Sequence, residues 1–305
     1  MTQIILHHFD ISPFAEKVRL AFGIKNLEWQ SVQIPLIMPK PDLIALTGGY
    51  RKTPVMQIGA DIYCDTQRIA IELERRFPEH TLFPDGCKAF STAFSSWSDA
   101  AFFQPGAGLS MGTNQGLPED LLNDRMEFFE FMDFAELPNQ LPHLYSQFDA
   151  HLNMLEQMLS ERGYFLSGES PGWLDVLAYF PVWMCRSNIT NSKVLLQPYE
   201  RLQLWQQTMA SIGHGTRTEL AAHEALRIAR ESNPSIDSQV DVSAFPKLHY
   251  GDLVSISASD YGRDPVHGEL IGLDRENISV RRSTEQLGDL VVHFPRIGYT
   301  VNSVE

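Results

Sequence analysis

Apolar positions change their spacing twice along the chain. Ile4-Ile5-Leu6 is a short strand-type run, followed by a polar connection from His7 to Ser12. Phe14, Val18, Ala21 and Phe22 then share one helical face. Ser12 stands as its N-cap, Pro13 at the first helical position and Gly23 as its stop. Glu28 to Ile34 predicts a second strand, and residues 35–50 form a Pro- and Gly-containing excursion. Pro54 to Ile58 and Ile62-Tyr63, separated by Gly59-Ala60-Asp61, predict a hairpin. Asp65 caps a helix running through Phe77. The order is β-α-β, loop, β-β-α within residues 1–85.

Residues 79–87 read as a linker, and the pattern is helical over 88–232. Residues 119–136 predict an amphipathic helix: seven acids and one Arg alternate with Leu121, Leu122, Phe128, Phe129 and Met132. Further helices are expected at 143–161 and 173–187, the second apolar enough to be buried. From Asn233-Pro234-Ser235 the texture shifts to short β-type runs at 253–256, 269–273, 278–280 and 290–294 with turn residues between them. That spacing predicts a small all-β barrel of SH3-like kind over 240–305.

Composition narrows the function classes. The 305 residues carry a net charge of −14, which disfavours nucleic acid and anionic membrane surfaces. The acidity is uneven: residues 1–85 hold 9 basic and 10 acidic side chains, residues 86–239 hold 9 and 18. An anionic small molecule therefore meets least repulsion in the first third. The longest apolar run, Val176 to Cys185, is ten residues and contains Pro181, against about 20 for a spanning helix. MTQIILHHFD lacks the basic and apolar regions of a signal peptide, so a cytoplasmic location is expected. Cys64, Cys87 and Cys185 are too few and scattered for a disulfide framework or a cysteine zinc site, and no metal is expected.

Three features of residues 1–85 carry candidate chemistry. Ser12-Pro13-Phe14-Ala15 lies at a strand-to-helix junction, where a hydroxyl and the first free N–H groups favour an anion. Lys52-Thr53-Pro54-Val55 enters a strand after a loop, which fits either a trans proline at the strand start or a cis peptide. Cys64-Asp65-Thr66-Gln67 follows a strand and opens a helix, so Thr66 can hold a carboxylate and Asp65 an amine.

Together, SPFAEKVRLAF, KTPV and CDTQRIAIELERRFP resemble the N-terminal domain of glutathione S-transferases of a Ser-type, bacterial-like kind. The resemblance covers about residues 1–232. It implies an α/β thioredoxin-like domain (1–85), an all-α domain (88–232) and, beyond the family plan, the small β barrel (240–305). It also implies glutathione as co-substrate, a small electrophile and a homodimer. Ser12 matches the residue that touches the glutathione sulfur. Thr53 and Pro54 match the cis-proline step, and Val55 the residue whose backbone pairs with the cysteinyl part. Asp65 and Thr66 match the pair holding the γ-glutamyl group, and Lys52, Arg51 and Lys40 are candidates for the glycyl carboxylate. An apolar wall of Phe14, Trp97, Phe102, Phe103 and Met111 is expected for the electrophile. His7 and His8, close to the sulfur site, read as structural histidines or a second polar group.

The departures matter as much. The Cys-Pro-x-Cys of glutaredoxins is Ser12-Pro13-Phe14-Ala15, so a dithiol cycle lacks both of its thiols. In the helical half, the family's capping hydroxyl is replaced by Gly172, three residues before Asp175. Two readings follow. One is an enzyme, a glutathione transferase of alkyl or aryl groups or a related glutathione-dependent dehalogenase or isomerase, that stabilises the glutathione thiolate for attack on an electrophile. The other is a non-catalytic module whose barrel recruits a partner; the barrel's plainest role is packing on the helical domain or at a dimer interface.

Overall fold

A computed structural model describes residues 3–114, 116–235 and 240–304. Met1 and Thr2, and positions 236–239 before the expected barrel, lie outside the described residues. The chain divides into two compact units: residues 1–15, 28–72 and 217–305, and residues 16–27 and 73–216.

The N-terminal elements are β1 (Ile5–His8), α1 (Pro13–Ile24), β2 (Glu28–Gln33), α2 (Pro41–Thr47), β3 (Val55–Ile58), β4 (Asp61–Cys64) and α3 (Thr66–Arg76). Only α2, inside the 35–50 excursion, was not expected. β1 pairs in parallel with β2 and antiparallel with β3, which pairs antiparallel with β4. Gly23 does not stop α1. It lies inside the helix, where an added Cβ would stand 2.0 Å from the Gly213 carbonyl oxygen. Close backbone approach, rather than termination, requires glycine there.

Among the described residues seven α-helices follow: α4 (Lys88–Ser96), α5 (Phe103–Thr113), α6 (Glu119–Phe128), α7 (Leu137–Arg162), α8 (Trp173–Asn188), α9 (Ser192–Leu196) and α10 (Glu200–Ile212). The expected 119–136 helix ends early, at Phe128. Asp133 Oδ1 instead accepts the Ala135 and Glu136 N–H groups, a local turn that competes with helix, and Phe129 packs against Phe103. Asp175, fully buried at the start of α8, accepts N–H groups from Leu166, Ser167 and Gly172 and the Trp205 indole. Burial pushes its pKa up while those donors pull it down. Gly172 caps α8 because nothing larger fits: a Cβ would lie 2.7 Å from Ser167 Oγ and from Pro84 Cδ.

The chain then adds β5 (Thr216–Glu219), in a stretch expected to be helical, and α11 (Ala222–Glu231). Five strands complete it: β6 (Leu253–Ala258), β7 (Val266–Leu273), β8 (Asn277–Thr284), β9 (Gly288–Pro295) and β10 (Tyr299–Ser303). They are antiparallel in the order β10-β6-β7-β8-β9, so the expected all-β segment exists. It is not the separate domain expected over 240–305. β9 pairs in parallel with β4, and one ten-stranded sheet runs β10-β6-β7-β8-β9-β4-β3-β1-β2-β5. One apolar cluster joins Ile5, Val55 and Ile62 to Val254, Ile256, Val280, Val292 and Phe294.

A chain ending at residue 235 is therefore expected to aggregate or lose its cooperative melt, read by size exclusion and circular dichroism. A soluble truncation with the full-length melting temperature would show that the two parts of the sheet are energetically independent. Gly172→Ser is expected to destabilise by about 1–3 kcal/mol through overpacking, despite restoring a capping hydroxyl. Urea unfolding measures this, and a gain in stability would overturn the steric argument.

Candidate functional site

The turn from β1 into α1 is closed by Ser12 N–H donating to the Phe9 carbonyl at 3.1 Å. Ser12 Oγ accepts the Ala15 N–H at 3.1 Å, the N-cap bond expected of it. That bond uses a lone pair and leaves the hydroxyl hydrogen without an acceptor among the described residues. Ser12 is 3% exposed, so a group receiving that hydrogen would be largely screened from water. The positive end of the α1 dipole lies at the same place.

The Thr53-Pro54 peptide is cis. Val55 is fully buried and has strand neighbours on both sides, His7 on β1 and Cys64 on β4. A strand residue's N–H and C=O point into the ladder, so Val55 does not turn them toward an added peptide. Thr53 lies just outside the strand. Its hydroxyl lies 3.4 Å from Lys40 Nζ, which also donates to the Arg51 carbonyl at 3.3 Å.

Asp65 has a left-handed backbone (φ 76°), unusual for a residue with a side chain. Its Oδ1 accepts the Gln67 N–H at 2.9 Å, capping α3, and its Oδ2 accepts the Tyr299 hydroxyl at 3.1 Å. The Tyr299 oxygen lies 3.0 Å from the Tyr50 hydroxyl. Because the ionised carboxylate can only accept, Tyr299 donates to Asp65 and Tyr50 donates to Tyr299. Burial, then the Asp65 charge, drives both phenol pKa values well above the ordinary range, so both remain donors. Thr66 is buried at the first turn of α3. Cys64 beside it is no nucleophile, since burial pushes its thiol pKa well up.

The basic candidates are engaged. Lys52 Nζ meets Asp260 Oδ1 at 2.5 Å and sits 4.3 Å over the Tyr261 ring. Arg51 Nε lies 3.9 Å from Asp264 Oδ2, and Lys40 is buried on the bonds just described. Asp260, Tyr261, Asp264 and Tyr299 all come from the C-terminal strands and their connections. Sequence reasoning did not identify them, or Tyr50, as site residues. No local spacing flags them, because their partners lie some 200 positions away or more.

The residues expected to form an apolar wall are buried or half-buried. Phe102 is fully buried against Trp97, Phe148 and His151, and Phe103 is buried against Phe129 and Phe180. Phe102 and Phe103 are core rather than an open wall, as aromatic residues at helical spacing usually are. Trp97 donates its indole N–H to His151 Nδ1 at 3.0 Å, while Met111 and Phe14 are half-buried. His8 bonds Ser31 Oγ at 3.1 Å. His7 Nε2 lies 2.8 Å from Gln57 Oε1, whose amide nitrogen donates to the Gly59 and Ala225 carbonyls. His7 therefore carries its proton on Nε2, and its buried Nδ1 has no partner. Burial lowers its pKa to about 4. Each histidine thus bonds a side chain of a neighbouring strand, Gln57 on β3 and Ser31 on β2. Among the described residues, no group of three His, Cys, Asp or Glu side chains is placed to hold a metal.

A family model for the glutathione S-transferase N-terminal domain matches residues 6–81. A GST-like protein from Pseudomonas syringae, solved by crystallography, is 34% identical, with 100% of both chains covered and a TM-score of 0.79. Poplar glutathione transferase F1 is 13% identical, with 76% of this chain and 100% of that one covered and a TM-score of 0.55. A rice transferase in complex with glutathione is 18% identical, covering 73% and 94%, with a TM-score of 0.52. The last two share the fold alone. None of the curated proteins matches the chain by sequence.

The His7 environment sets a pH dependence. Its folded pKa of about 4 lies below the unfolded 6.5, so the unfolded chain binds the proton first as pH falls. The stability from a neutral His7 is complete above pH 6.5 and declines toward pH 4. His7→Gln is expected to flatten the dependence of the urea midpoint between pH 6.5 and pH 5. Equal slopes in the two proteins would show that His7 titrates normally.

Proposed function

The chain belongs to the glutathione S-transferase family, and on that premise we propose that its first unit binds glutathione and promotes attack of the thiolate on a small electrophile. The observation that carries this reading is the buried Ser12 hydroxyl at the N-terminus of α1, whose hydrogen has no acceptor among the described residues. A free cysteine thiol with pKa near 8.5 is only about 3% ionised at pH 7. A hydroxyl donor and a helix N-terminus both favour the thiolate, and each unit of lowering corresponds to about 1.4 kcal/mol. The thiolate sulfur forms the new bond to the electrophilic carbon, and the displaced group leaves with its bonding electron pair.

The remaining roles follow from position. Asp65 takes the γ-glutamyl amine, with Tyr299 holding its second oxygen in place. Thr66 and the first N–H groups of α3 take the neighbouring carboxylate. Thr53, rather than Val55, offers its backbone to the cysteinyl part.

Calorimetric titration with glutathione tests the site, and turnover of a model electrophile tests the chemistry. Asp65→Ala is expected to abolish measurable binding at millimolar glutathione. Ser12→Ala is expected to keep binding while cutting turnover by roughly 10- to 1000-fold, as loss of one anion-stabilising donor does elsewhere. Unchanged turnover in Ser12→Ala would remove its assigned role.

A further inference from the structure

The two ends of the proposed thiol site are lined by residues of the C-terminal strands, and the two ends differ in charge. At the γ-glutamyl end Tyr299 is a neutral donor to Asp65. At the opposite end the connection between β6 and β7 brings two carboxylates. Asp260 Oδ1 meets Lys52 Nζ at 2.5 Å, and Asp264 Oδ2 lies 3.9 Å from Arg51 Nε. This connection is docked. Tyr261 is buried under the Lys52 ammonium, Ser259 N–H donates to the Gly298 carbonyl at 2.9 Å, and Arg263 Nε donates to the Asp260 carbonyl at 2.9 Å. At its far end, a Cβ on Gly49 would come within 2.9 Å of the Pro265 carbonyl oxygen.

The geometry points to Asp260 as a specificity-determining residue: it stands on Lys52 where a glycyl carboxylate would, so the site favours γ-glutamyl thiols whose C-terminal end is uncharged, such as an amide or an ester. The inference rests on the glutathione reading above. A free C-terminal carboxylate arriving at Lys52 would exchange one carboxylate for another, with no net gain in pairing. It would also come close to two like charges, Asp260 and Asp264, which repel it. Asp260 and Asp264 are both exposed to solvent, so that repulsion is strongest at low ionic strength. An ester or amide leaves the Lys52–Asp260 pair intact and carries no charge to be repelled.

The test is calorimetric titration of the full-length protein with glutathione and with its glycyl monoethyl ester, on wild type and on Asp260→Asn. Asp260 is more than half exposed and its replacement is nearly isosteric, so the variant is expected to fold, which its melting curve checks. Wild type is expected to bind the ester at least as tightly as glutathione. In Asp260→Asn, Lys52 is freed, and the ratio of affinities should move at least fivefold toward glutathione. A ratio unchanged by the substitution would overturn the proposal while leaving the glutathione site standing. So would a fivefold preference of wild type for glutathione itself. If neither ligand binds wild type or the variant at millimolar concentration, the glutathione reading fails, and this inference with it.

Discussion

The outer edge of β4 is the constraint on which the rest of the first unit depends. An uncovered edge strand leaves a row of backbone donors and acceptors open to other chains. Here β9 covers that edge in parallel, with Asp61, Ile62 and Tyr63 opposite Val291, Val292 and His293. Buried polar groups lock the seam. His293 Nε2 bonds Asp61 Oδ1 at 2.9 Å, Ser279 Oγ bonds His293 Nδ1 at 2.9 Å, and Tyr63 stacks on the His293 ring at 4.6 Å. Asp61, the acceptor, fixes the imidazole proton on Nε2, so Nδ1 accepts from Ser279. Burial lowers the His293 pKa and keeps the ring neutral, which suits a seam flanked by Arg68.

The candidate site inherits its geometry from that seam. Asp65 follows β4 by one residue, and Tyr299 on β10, in the same sheet as β9 and β4, donates to its carboxylate. The same arrangement places Asp260 on Lys52. The C-terminal strands therefore complete the sheet and also supply the partners of Asp65 and Lys52. Ser12 is unaffected by this. Its bonds are local, to Phe9 and Ala15, and follow from a serine–proline pair at the start of a helix.

Short-range physics made much of this protein legible without coordinates. Ser12 before Pro13, the apolar face of α1, the hairpin around Gly59 and the runs that became β6 to β9 depend on neighbours within a few positions. The three motifs at 12–22, 52–55 and 64–78 are each local too, and their order along the chain carries the family resemblance. Gly23 and Gly172 show the limit of that reasoning: each looked like a terminator or a tolerated cap, yet each is glycine because distant atoms leave no room for a Cβ. The same holds for Phe102 and Phe103, whose aromatic spacing says that they are buried but not among what. Strand pairing is least legible of all, because any apolar alternating run can add to any open edge. The sequence by itself therefore determined the elements, the family and the hydroxyl at the helix start. Only the tertiary structure decided that residues 253–303 continue the N-terminal sheet and bring Tyr299 and Asp260 to Asp65 and Lys52. Those contacts span more than 200 positions, and no local propensity encodes them.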